Sequence, residues 1–283
     1  MKDVALGQYY SGNSILHRLD PRIKLIVAIV MMVGLFSAKS LWSFLLLTVL
    51  SVLLIFISGV PLRTVLRGVR PLIFVLVFTT LIAVFMTKGE GEPLFSVRVF
   101  SWLTLEMYAE GIVRAALLSL RVVLLVITTS LFLTYTTTPT TLTDALERVL
   151  HPLTYLRIPV YDFAMMMTIA LRFIPTLVEE TDRIMCAQKA RGADFASGSI
   201  IRRVRALIPI LIPLFVSSFR RAGELATAME CRCYRGGTGR TRLRVMRCRA
   251  KDWLFLAAAA VCLALVYLGN AFLPTALTLG GTV

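Results

Sequence analysis

Five stretches of this chain are almost wholly apolar: residues 25–38, 41–60, 71–86, 122–133 and 253–273. In the fourth, the helical pattern reaches back to about residue 108. A membrane-spanning helix needs about 20 apolar residues, or ~17 at the short end. The second and last runs meet that length. The first and third are short and call for snorkelling Lys and Arg side chains or a locally thinner bilayer.

Between the fourth and fifth runs the pattern changes to an amphipathic one. Thr141-Leu142-Thr143-Asp144 reads as a capping box. It is followed by the stripe Leu142, Ala145, Leu146, Val149 and Leu150, with Asp144, Glu147, Arg148 and His151 on the other face and Pro152 as a stop. Residues 162–192 form a longer segment. Its first half is apolar and includes Met165, Met166 and Met167. Its second half places Ile174, Leu177, Thr181, Ile184, Met185 and Gln188 opposite Glu179, Asp182, Arg183 and Lys189. Residues 207–219 begin a second unit of the same plan, apolar first and amphipathic later. Thirteen apolar residues are too few to cross alone.

The pattern therefore predicts an all-α, polytopic membrane protein with about five or more membrane helices plus two long coupling helices on the cytoplasmic side. Residues 1–134 hold the first membrane helices. Residues 135–252 form a cytoplasmic-side coupling region, and residues 253–283 a last membrane helix and tail.

Composition supports a membrane protein. Hydrophobic residues make up 57% of the chain and charged residues 17%, which is too apolar for an ordinary soluble domain. The charge is lopsided, with 31 Lys and Arg against 16 Asp and Glu. Because the basic residues sit in loops between apolar runs, they fit the positive-inside bias rather than nucleic-acid binding. The lead (Lys2, Arg18, Arg22, Lys24), the second connection (Arg63, Arg67, Arg70) and residues 135–252 are basic. The third connection carries Glu90, Glu92, Glu106 and Glu110. This alternation predicts a cytoplasmic N-terminus and coupling region in a multi-pass cell-membrane protein. Arg114 and Arg121 share one face of the fourth run; Arg114 fits a snorkelling helix-end position, and Arg121 is open between that and burial against protein.

Five cysteines are present, four of them (Cys186, Cys231, Cys233, Cys248) in the predicted cytoplasmic stretch. A disulfide framework is not expected in a reducing compartment. With two distant histidines, His17 and His151, and no CxxC, no metal site is expected. Ala38-Lys39-Ser40 is only a superficial P-loop match, lacking the glycine, and no zinc-protease or serine-hydrolase motif is present. The lead before residue 25 does not read as a cleavable signal. No catalytic residue and no cofactor is predicted.

Two short basic turns stand out, Ala190-Arg191-Gly192 and Cys231-Arg232-Cys233, 41 residues apart. Each closes an amphipathic segment with an arginine flanked by small residues. A cation at a helix C-terminus serves the unsatisfied carbonyls there, and ordinary helix-end chemistry accounts for one such turn. Two in tandem point further, to tips that dock into a partner. Small neighbours permit close approach, and the guanidinium offers five donors in a planar fork.

The chain resembles the transmembrane T-component of energy-coupling factor (ECF) transporters, a family that includes the cobalt-transport permease subunit. The resemblance runs over nearly the whole chain. It rests on Gly7-Gln8-Tyr9, the lead from Leu16 to Leu25, Thr137, Thr138 and Pro139 with Leu142, and Ala170 to Pro175. Above all it rests on Ala187 to Gly192 and Ala228 to Gly237. The family's two Ala-Arg-Gly signatures fall on Ala190, Arg191, Gly192 and on Cys231, Arg232, Cys233, where only the arginine is kept. A positive φ at Cys233 would be harder to meet than at glycine. The resemblance implies a scaffold that is not itself an enzyme. Its signature arginines dock two cytoplasmic ATP-binding subunits, and its apolar surface, with Met165, Met166 and Met167 as a repackable patch, holds a membrane-embedded substrate-binding S-component for vitamin or micronutrient uptake. Two other readings stay open: a dedicated cobalt or nickel permease subunit of the same family, and a membrane-embedded enzyme that binds phosphate or lipid head groups through Arg191 and Arg232.

Overall fold

Six helical stretches among the described residues are long and apolar enough to cross a bilayer: Leu41–Ser58, Leu62–Phe85, Gly111–Tyr135, Val160–Ala190, Val204–Cys231 and Ala250–Phe272. The computed structural model describes residues 10, 12, 14–86, 95–100, 103–193, 195, 199–236 and 248–272. Gly7, Gln8, Tyr9, Lys88, Glu90, Glu92, Gly237 and the tail after residue 272 lie outside them. The fold is an all-α, polytopic one, as the pattern predicts.

The helices are α1 (Ile15–Arg18), α2 (Pro21–Ser37), α3 (Leu41–Ser58), α4 (Leu62–Val69), α5 (Ile73–Met86), α6 (Ala109–Thr129), α7 (Pro139–Val149), α8 (Val160–Ala190), α9 (Ile200–Cys231) and α10 (Ala250–Phe272). Three differences from the sequence pattern have local causes. The basic connection with Arg63, Arg67 and Arg70 is helical and runs through a 3-10 turn, Arg70–Leu72, into α5. Pro71 lacks an N–H for the ladder, and the tighter turn is the local adjustment. The acidic connection contains an antiparallel hairpin, β1 (Phe95–Phe100) and β2 (Leu103–Met107), paired from Phe95↔Met107 to Phe100↔Leu103 with an irregularity between Arg98 and Phe100. Its alternation of apolar and polar residues is a strand period. Helix α7 begins at Pro139 rather than after Thr141. Thr138 Oγ1 accepts from the Thr141 N–H, and Pro139 takes the first-turn position where its missing N–H costs nothing.

The chain divides into two compact units. One comprises Gly7–Ala145 with Met246–Val283. Its core joins α2, α3, α6 and α10 around Leu16, Val27, Met31, Leu35, Phe44 and Val266, all 2% exposed or less. Polar groups fix the helix ends. Asn270 Oδ1 accepts from the Lys39 and Ser40 amides at 3.2 Å each and from Ser43 Oγ at 2.9 Å, while its Nδ2 donates to Ser37 O at 2.7 Å. One side chain on α10 thus serves the end of α2 and the start of α3. At the preceding residue, a Cβ on Gly269 would lie 2.9 Å from the Trp42 ring, so only glycine permits the approach of α10 to α3. Arg121 is held by protein: it donates to Ala38 O and lies 5.2 Å from the Phe44 ring centroid.

Where α6 ends, residues Ser130–Tyr135 widen into a π-helical turn. Lys24, 2% exposed, donates from Nζ to Thr136 O at 2.7 Å and to His17 O at 3.3 Å. Tyr135 Oη donates to Thr64 O at 3.1 Å, and its carbonyl accepts from the Tyr10 amide at 3.1 Å. Segments from the lead, α2, α4 and α6 are therefore tied together just before α7.

The other unit holds Leu146–Val245, built on α8 and α9. These helices bury little of themselves: 11% and 6% of their most apolar windows lie inside the structure, against 39% for α3. Their predicted stripe is the packed one. Leu177, Thr181, Ile184, Met185 and Gln188 are half-buried, while Glu179, Arg183 and Lys189 are exposed. Ile174, at 37% exposed, and Asp182, which is half-buried, depart from the prediction.

Candidate functional site: two matched helix ends

Helix α8 stops at Arg191. The Arg191 residue has φ −87° and ψ 9°, and Gly192 follows at φ 85°. The Gly192 amide donates to Lys189 O at 3.0 Å and the Ala193 amide to Gln188 O at 3.0 Å. These two bonds define a Schellman cap, which closes a helix by turning one residue into the left-handed region.

Helix α9 stops in the same way. Arg232 has φ −91° and ψ 16°, and Cys233 follows at φ 56°. The Cys233 amide donates to Glu230 O at 2.9 Å and the Tyr234 amide to Met229 O at 3.1 Å. Bond for bond, Cys233 stands where Gly192 stands. A thiol-bearing residue takes the left-handed conformation that its counterpart meets without strain, at a cost of ~1 kcal/mol. All six residues of the two turns, Ala190, Arg191, Gly192, Cys231, Arg232 and Cys233, are exposed. A Cβ on Gly192 would meet no atom within 4 Å, so the first tip is open as well as sharp.

What holds the two ends apart is the packing of α8 on α9. Arg221 Nη2 donates to Glu180 Oε2 at 3.0 Å, across 41 residues. The same interval separates Arg191 from Arg232. Each arginine cap therefore lies eleven residues beyond its member of the pair, about three turns or ~16 Å of helix. The helices run in opposite directions: Glu180 on α8 meets Arg221 on α9, whereas Met165, earlier on α8, shares a cleft with Arg232, later on α9. Met165 then sits beside Arg232 and Gly236. The caps thus leave the pair in opposite senses, with up to ~33 Å of helix between them.

The methionine patch splits. Met166 and Met167 are exposed, at 60% and 39%, whereas Met165 is half-buried and lines the cleft at the end of α9. A larger exposed apolar surface lies on α9, where Leu211, Ile212, Phe215, Val216 and Phe219 are each more than half exposed. The Phe215 and Phe219 rings meet at a tilt, 4.8 Å between centroids and 56° between planes. Their i, i+4 spacing was visible in the sequence. Among the described residues, no group of three or more His, Cys, Asp or Glu side chains is placed to hold a metal ion.

Six apolar helical stretches define a multi-pass membrane protein, and two of them end in matched cationic caps. Residues 12–243 match the family of cobalt transport proteins, CbiQ. The chain is 48% identical over 268 residues to the energy-coupling factor transporter transmembrane protein EcfT of Ruminiclostridium cellulolyticum, covering 95% of this chain and 97% of that one. It is 50% identical to EcfT of Acidaminococcus fermentans over 243 residues, 86% of this chain and 88% of that one. With EcfT of Bacillus subtilis it shares 43% identity over 267 residues, 94% and 98% of the two chains. The chain belongs to this family, and within it to the transmembrane components of energy-coupling factor transporters.

Proposed function

We propose that this chain is the energy-coupling scaffold of an ECF-type ABC importer, in which Arg191 and Arg232 dock two cytoplasmic ATP-binding subunits. The observation that carries the reading is the matched pair of Schellman caps. Two exposed arginines are presented in one backbone conformation at opposite ends of one helix pair, as two copies of a similar groove would require. The N-terminus and residues 135–252 face the cytoplasm, on the side of the basic loops. Hydrolysis takes place in the docked subunits, and the chain itself performs no chemistry.

The exposed apolar surface of α8 and α9, with Met166, Met167, Phe215 and Phe219, holds a membrane-embedded S-component that binds a vitamin or other micronutrient. Movement of the caps reaches this surface through the two helices. To drive transport, the ATP-binding subunits must favour one arrangement of the caps over another, because a ligand of equal affinity for both shifts nothing.

Arg191→Glu together with Arg232→Glu tests the docking role. The double variant inserts in the membrane and no longer co-purifies with tagged ATP-binding subunits, or else hydrolysis continues without uptake. Normal uptake by the double variant would defeat the assignment. Labelling either cap from outside intact cells would defeat the orientation. The family's cobalt-transport description supports a second cargo reading, cobalt or nickel, which uptake of the labelled metal by the assembled transporter tests directly.

A further inference from the structure

We propose that Asp20, Lys24 and Asp252 are positioning residues for energy coupling: at the start of α2 they hold both places from which the segment with α8 and α9 is joined to the rest of the chain. This role rests on the energy-coupling reading above. The segment Leu146–Val245 is joined to the other compact unit after Ala145 and again before Met246. Helix α7 carries the chain across the first junction without a break, so its direction is set where it starts, at Thr136–Thr138. After the second junction the chain enters α10 through Cys248 and Arg249. Motion passing along the chain from α8 and α9 enters the other unit at these two places, and is absorbed there if either is slack.

Lys24 holds the first place. Its ammonium donates to Thr136 O at 2.7 Å and to His17 O at 3.3 Å. The carbonyls at a helix C-terminus carry partial negative charge, which a cation satisfies, and the burial of Lys24 makes those bonds necessary. The Thr136 and Thr137 hydroxyls both donate back to Phe132 O, at 3.1 and 2.7 Å. The path into α7 is therefore fixed before α7 begins. Asp252 and Asp20 hold the second place. Asp252 divides its carboxylate: Oδ2 accepts from the Arg249 amide at 2.7 Å, and Oδ1 from the Asp20 amide at 3.3 Å. Asp20 in turn accepts from the Arg22 amide at 3.0 Å and from the Cys248 thiol at 3.5 Å. Two helix N-termini meet here, and each favours a carboxylate. Asp20 and Lys24 lie four residues apart on one face of the chain at the start of α2, so a single turn serves both junctions.

Hydrogen exchange on the full chain in detergent tests the hold without any partner. Lys24→Met keeps the aliphatic stem and loses the ammonium. Exchange at the Leu142 amide, which donates to Thr138 O at 2.9 Å in the first turn of α7, rises about tenfold in that variant. Asp252→Asn keeps the shape and loses one acceptor, and raises exchange at the Trp253 amide in the first turn of α10 in the same way. In the assembled transporter both variants lower uptake per ATP hydrolysed about fivefold. Asn270→Ala is the control for stability alone: it weakens the α2–α3 turn of the same unit, lowers the thermal midpoint and leaves that ratio at the wild-type value. Unchanged exchange at Leu142 in Lys24→Met, or an equal fall in the ratio for Asn270→Ala, overturns the positioning role alone. A wild-type assembly that hydrolyses ATP without uptake overturns the importer reading and this role with it.

Discussion

Arg221 and Glu180 meet at 3.0 Å at the same step of two helices, each eleven residues short of its arginine cap. Both side chains keep some contact with solvent, at 34% and 26% exposed. The pair therefore contributes modestly to stability, ~1 kcal/mol, while fixing where α9 sits along α8.

Breaking that pair should loosen the register of the caps more than it lowers stability. Glu180→Gln and Arg221→Gln are each expected to lower thermal stability by only about 1 kcal/mol in detergent. Both are expected to reduce uptake per ATP hydrolysed when partners are present. A double-mutant cycle checks the pairing. Full additivity of the two single changes would show that the contact carries no coupling.

Cys233 carries backbone strain that Gly192 does not. Cys233→Gly should stabilise the end of α9 by ~1 kcal/mol, and Cys233→Val should destabilise it further. Hydrogen exchange at the Tyr234 amide, which closes the cap on Met229 O, reports both directions. Slower exchange is expected for the glycine variant and faster exchange for the valine variant.

Asn270 joins three backbone groups and one hydroxyl at the α2–α3 turn. Asn270→Ala leaves those backbone groups to solvent or unpaired. The expected loss is ~2–3 kcal/mol, read as a lower midpoint in thermal unfolding. Gly269→Ala tests the neighbouring approach separately, because its Cβ meets the Trp42 ring at 2.9 Å.

Cys248 donates to Asp20 Oδ2 at 3.5 Å. Desolvation, and then the negative charge and hydrogen bond of Asp20, raise its thiol above the ordinary value. A raised value means less thiolate at a given pH, so alkylation of Cys248 is expected to need a higher pH than alkylation of a free thiol. Asp20→Asn should move the pH midpoint of alkylation down. An unchanged midpoint would remove Asp20 as a cause.

Much of the site was legible because it is local. Arg191, Gly192 and Arg232 announce helix ends through residue type alone, and the stripe ending at Gln188 follows helical spacing. The membrane runs were equally plain, although 71–86 began too late because a basic, proline-containing segment does not read as helix. The hairpin from Phe95 to Met107 carries a strand period, but over only two short segments in a chain whose pattern is otherwise helical. Asn270 and the Glu180–Arg221 pair left no local trace. Each acts on partners far away in sequence, and nothing in their neighbours names those partners. The positive φ at Cys233 lies between these cases: the alignment with Gly192 raises the question, and only backbone geometry answers it.

The equal spacing from the ion pair to either cap has a mechanical consequence. With matched arms about a common pivot, any given change in crossing angle displaces the two tips by the same stroke. Under the proposed docking, neither partner would then have the greater leverage, and an impulse received at one end would be balanced by an equal demand at the other.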